Sequence, residues 1–197
     1  MARRDTLDES LRHLDYEMAM MVATPRMLAQ YQLTPANNTV RADGYYWAND
    51  RAVAYLAAME SALVHARLLN DFFKYGTGDL PTSGFKASDR YAAEYCTTKG
   101  WSGSVVLTKS EHTIVDKQLS HFTTERSPRR THDLGRFAQR AVDALIKLTS
   151  RANAEWQDPL LSILARCEAE SKRSLEVWTP ALSQHSARPA PGRRWPC

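Results

Sequence analysis

The sequence has little of what marks a specialised architecture. Its three cysteines, Cys96, Cys167 and Cys197, are odd in number and far apart. That spacing excludes a disulfide framework and a zinc knuckle, and reduced thiols are expected. Eight glycines and nine prolines in 197 residues exclude collagen-like and low-complexity chains. No apolar run approaches the roughly 20 residues that a membrane span needs. Arg3, Arg4, Asp5, Asp8 and Glu9 interrupt the N-terminus, so no secretory signal is expected, no membrane association, and a cytoplasmic location. Acidic residues are missing after Glu176, where Arg188, Arg193 and Arg194 supply three of the net +4 charges. The basicity is therefore largely that of a tail, which weakens a nucleic-acid reading drawn from charge alone.

What is present is helical patterning. With 43% apolar and 24% charged residues the chain has a globular composition. Thr6 and Glu9 form a capping-box pair, which predicts a helix from about Leu7 with a stripe of Leu7, Leu11, Leu14, Met18 and Met21. Thr24-Pro25 predicts a kink or restart. Pro35 to Gly44 reads as a loop, and a long central helix is expected from Asn49 or Asp50 to Tyr75-Gly76. Its apolar residues cover a wide arc, as in a helix surrounded by neighbours. A short helix after Ser88 should include Tyr91 and Tyr95, with irregular chain at Gly100 to Ser104. Thr108 and Glu111 predict another capped helix, ended by Pro128. Thr131 is placed to cap a strongly amphipathic helix through Leu134, Phe137, Ala141, Leu145 and Leu148, and Asp158-Pro159 to cap a last one through Cys167. The expected architecture is an all-α helical bundle of about five main helices over residues 1–180. Residues 181–197 are expected to form a disordered basic Pro-rich tail, too poor in apolar residues to offset its ordering entropy.

Two polar clusters interrupt this pattern. Glu60, Arg67 and Asp71 fall on nearly one side of the central helix, with His65 a step around. Burying such groups is costly unless they are paired, so the cluster is either an internal ion-pair network, with Arg67 and Asp71 an i,i+4 pair, or the lining of a substrate-binding cleft. The second cluster runs from His121 through Arg126, Arg129 and Arg130 to His132. It is either a solvated basic loop or a site in which histidine moves a proton and arginine anchors a phosphate, the chemistry of ribose-assisted RNA cleavage.

The stretch Glu60 to Phe73, with its His65-Ala66-Arg67 and Asp71-Phe72-Phe73, and the later His121-Phe122-Thr123-Thr124-Glu125-Arg126 resemble a group of uncharacterised bacterial all-helical proteins. The spacing of Arg126 and His132, with five residues between them, is also similar to the motif of HEPN domains, in which four to six residues separate an arginine from a histidine. These are helical nucleases and RNA-binding modules of bacterial defence and toxin–antitoxin systems, whose motif residues meet at a dimer cleft. The resemblance implies a HEPN-like protein that binds or cleaves RNA as a homodimer, with Arg126, His132 and His121 catalytic. Glu60, His65, Arg67, Asp71, Arg129 and Arg130 would then bind substrate. Ser127-Pro128 stands where that family continues a helix with a polar residue, and His121 with Arg126 would reverse the motif order.

Other chemistries are poorly represented. Glu60 and His65 are too far apart for a di-iron Glu-x-x-His pair, and no two of the six histidines are four residues apart, so no metal or cofactor is expected. Trp47, Trp101, Trp156 and Trp178 read as packing anchors at helix ends rather than stacking platforms. The alternative to RNA chemistry is a non-catalytic helical interaction module whose polar network only fixes helix register.

Overall fold

A computed structural model describes residues 2–30, 50–79, 90–120 and 132–172. Their elements are α1 (Ala2–Gln30), α2 (Asp50–Phe73), a single 3-10 turn (Ala92–Tyr95), α3 (Lys109–Ser120), α4 (Leu134–Arg151) and α5 (Ala154–Lys172). The all-α bundle of five helices is as the periodicity requires, with no strand among the described residues. The proposed loop at Pro35 to Gly44, the Pro128 stop, Thr131, Trp47, Trp178 and the tail after Pro180 lie outside the described residues.

α1 buries Leu7, Leu11, Leu14, Met18 and Met21, the stripe read from its spacing. At about 1.5–3 kcal/mol for each large apolar side chain taken from water, this stripe is a main source of cohesion. It packs against α2, α4 and α5. Two details differ from expectation. The helix begins at Ala2, so Thr6 lies inside it, and it runs unbroken through Pro25. Pro25 withdraws one N–H from the ladder, while Thr24 donates its hydroxyl to the Met20 carbonyl at 2.7 Å and stays in register.

α2 packs chiefly along α1 and also meets α4 and α3. Its apolar arc is not fully covered, because Val64 and Leu68 are 41% and 47% exposed whereas Leu63, Ala66, Leu69 and Phe73 are buried. The last turn of α2 is closed by the chain at 101–107. Phe73 O accepts from the Trp101 indole N–H at 2.9 Å and from Ser104 N at 2.9 Å. Asn70 Oδ1 accepts from Val106 N at 3.2 Å and Leu107 N at 3.0 Å. Gly103 makes this approach possible with φ of +77°, where a Cβ would lie 2.5 Å from the Lys74 carbonyl oxygen.

The capping box of α3 is formed as spaced: Thr108 N donates to Glu111 Oε2 at 2.7 Å, and Glu111 N to Thr108 Oγ1 at 3.3 Å. α4 is capped by Asp133, whose Oδ1 accepts from Arg136 N at 2.9 Å, rather than by Thr131. α5 starts at Ala154, so Pro159 lies inside the helix instead of opening it. Asn153 joins α4 to α5 and holds the 3-10 turn's flank, accepting from Thr98 N at 3.1 Å and donating to Thr97 Oγ1 at 2.7 Å. Trp101, Trp156, Cys96 and Cys167 are buried in the core, the packing role expected of the two tryptophans. No helix among the described residues is long and apolar enough to cross a membrane.

Candidate functional site

α2 carries the first polar cluster, and its 3.6-residue repeat divides that cluster between two neighbours. His65 is buried against α1. Its Nδ1 lies 2.5 Å from Glu17 Oε2 and its Nε2 3.2 Å from Ser61 Oγ, with the Tyr16 ring edge-on at 5.6 Å between centroids. Because the Glu17 carboxylate only accepts, Nδ1 carries a proton. That bond crosses to α1 and holds it on α2, while the Nε2 contact with Ser61 stays within α2.

Arg67 and Asp71 turn instead toward α3. Arg67 Nε pairs with Asp116 Oδ1 at 3.2 Å, and Asp71 Oδ1 with Lys74 Nζ at 2.5 Å. Between them sits His112, with Nδ1 3.0 Å from Asp116 Oδ2 and Nε2 3.9 Å from Asp71 Oδ1. The expected buried network of Glu60, Arg67 and Asp71 is therefore corrected. Arg67 and Asp71 are not paired with each other or with Glu60, and Arg67 is 40% exposed in its side chain. The reason is reach: Asp116 and His112 of α3 meet these side chains across the helix interface, and a cross-helix pair replaces the i,i+4 pair. Glu60 sits half-buried two turns earlier on α2.

His112 and Asp116 were missed as site residues in the sequence, although their i,i+4 spacing on a helix was the available signal. Burial alone would lower the Lys74 ammonium, but its bonds to Asp71 and Tyr75 outweigh that and raise it above the ordinary lysine value. Glu111, beside His112, bonds to Arg140 of α4 at 2.7 Å. Burial would raise its carboxyl, yet the Thr108 N–H and hydroxyl and the Arg140 guanidinium hold it below the usual range.

His121, Arg126, Arg129 and Arg130 lie outside the described residues. His132 is half-buried just before Asp133 and the start of α4. The structure thus brings together Arg67, Asp71, Lys74, His112 and Asp116, and places His65 and Glu17 at a separate interface. No group of three or more histidine, cysteine or carboxylate side chains among the described residues is arranged to hold a metal ion. The α2–α3 cluster offers paired charges, and the His112 Nε2 is enclosed.

No family model, curated protein or solved structure matches the chain.

The remaining perturbed groups are core groups. Burial pushes the Tyr95 phenol up to about 12, against the hydrogen bond to Ser10 that lowers it. Burial likewise pushes the Cys96 and Cys167 thiols up to about 11. Thiols so disposed are packing elements, not nucleophiles, since the thiolate is the reactive form.

Proposed function

We propose that the protein is a non-catalytic helical interaction module whose internal polar groups fix helix register. The observation that carries this reading is the fate of the candidate cluster. His65 is taken up by Glu17 of α1, and Arg67 and Asp71 by Asp116, His112 and Lys74. Side chains chosen for substrate would face an open cleft. These are instead paired with charged groups of α1 and α3 and with Lys74 just after α2.

A second reading is favoured by a separate observation, the three cations Arg126, Arg129 and Arg130 in the thirteen residues joining α3 to α4, with His132 next to them in sequence. On that reading the protein is a HEPN-like dimer that binds or cleaves RNA, with Arg126 gripping phosphate and His132 or His121 moving the proton. One experiment separates the two. Purified protein is incubated with single-stranded and structured RNA without added metal, and binding is followed by anisotropy over a salt series. The module reading expects intact RNA and no salt-dependent affinity. RNA recognition through three arginines expects log K to fall with log salt with a slope of roughly −2, at about −0.7 per phosphate contact on single strands. Cleavage that disappears in Arg126→Lys and in His132→Ala or His121→Ala would establish the nuclease instead.

A further inference from the structure

His112 sits in an environment that its neutral form satisfies only on one side. Its Nδ1 faces Asp116 Oδ2 at 3.0 Å, and a carboxylate accepts but cannot donate, so Nδ1 carries a proton. In a neutral imidazole Nε2 then holds only a lone pair. Here that nitrogen is enclosed, has no hydrogen-bond partner, and faces a second acceptor, Asp71 Oδ1, at 3.9 Å. A second proton, taken from water, turns Nε2 into a donor toward Asp71 and sets a cation between two carboxylates on different helices. The charged groups around the ring are Asp71 and Arg67 from α2, Lys74 just after that helix, and Asp116 from its own helix. Arg67 and Lys74 oppose the added charge, but each is already bound to one of the two carboxylates, and the carboxylates are the ring's direct neighbours. Glu111 on the same helix is turned to Arg140 of α4.

We infer that His112 is a pH-responsive clasp that holds α3 on α2 more firmly when protonated than when neutral. The device matters because of how α3 is attached among the described residues. It packs mainly on α2, with the Glu111 to Arg140 bond its tie to α4, and it leads directly into the segment that bears His121 and Arg126.

The test is amide hydrogen exchange of α3 in the full-length protein, corrected for intrinsic rates, at about pH 6 and about pH 8, where histidine changes charge and ordinary carboxylates do not. Protection of α3 amides should be roughly three- to tenfold higher at the acid value, the scale of one added charge-assisted bond at a part-exposed site. His112→Gln, which cannot be charged, should lose that difference. Asp71→Asn removes one of the two carboxylates and supplies an NH2 that can donate to neutral Nε2, so its difference should shrink. Equal protection of wild type at the two values overturns the inference, as does a wild-type difference that persists in His112→Gln or is undiminished in Asp71→Asn. If His112→Gln fails to fold, Asp71→Asn alone decides.

Discussion

At the scale of single residues, the polar side chains of α2 are valued by what they leave behind when removed. Asn70 is buried, and its one oxygen satisfies two backbone donors, Val106 N and Leu107 N. Asn70→Ala should strand both and cost about 2–3 kcal/mol, since an unpaired buried donor bears its full desolvation penalty. Arg67 is the contrast. It is 40% exposed and makes one cross-helix ion pair, so Arg67→Ala should cost under about 1 kcal/mol, because water takes over the solvation of Asp116. In a chain of this length about 1 kcal/mol moves the thermal midpoint by roughly 2–4 °C. Thermal denaturation followed by circular dichroism should therefore separate the two variants clearly. Equal midpoints would mean that Asn70 does not carry the turn at 101–107. The ranking inverts the one that charge alone suggests.

At the scale of elements, helix identity was readable because it depends on local periodicity, and helix partnership was not. The stripes of α1 and α4 and the Thr108 to Glu111 capping box are recorded in spacing, and each is present as spaced. Boundaries were harder where two residues competed for the same role. Asp133 rather than Thr131 caps α4, and Pro25 and Pro159 lie inside helices because tertiary packing of the apolar stripes outweighs the loss of one backbone bond. The candidate site suffered most. Arg67 and Asp71 are correctly placed on one face, but which partner they take depends on α3 lying across that face, a long-range fact that no local spacing records. Gly103 shows the same limit. Its sequence neighbourhood reads only as irregular chain, yet it lets residues 101–104 approach the end of α2 closely enough to satisfy the Phe73 carbonyl. Gly103→Ala combines a left-handed backbone with a Cβ 2.5 Å from the Lys74 oxygen, and should cost about 2 kcal/mol or more. Proteolysis or hydrogen exchange should then show the end of α2 and the 101–107 segment loosening together. An unchanged urea midpoint would show that the turn can shift without loss.

At the scale of the whole molecule, the core ties its elements together around groups that stay protonated when folded. The Tyr95 hydroxyl donates to Leu7 O at 3.0 Å, is also bonded to Ser10 Oγ, and has Trp156 edge-on at 5.4 Å, so one phenol joins α1, the 3-10 turn and α5. Burial pushes the Tyr95 hydroxyl to about 12 from 10.0, and Cys96 and Cys167 to about 11 from 9.0. An unfolded chain therefore releases these protons at lower pH than the folded one. Their contribution to stability is complete below about pH 9, the ordinary thiol value in this chain, and is lost as the pH rises through the folded values. The urea midpoint should accordingly fall between about pH 9 and pH 11 more steeply in wild type than in the double variant Cys96→Ala, Cys167→Ala, whose thiols no longer titrate. The same thiols should resist alkylation in native protein at about pH 8 and react in denaturant, with peptide mapping reporting Cys96 and Cys167 separately. Rapid native labelling of either cysteine would mean that its thiol opens to solvent far more readily than the packing of α1, α4 and α5 allows. A flat alkaline limb in wild type would mean that the unfolded chain keeps these groups as well shielded as the fold does.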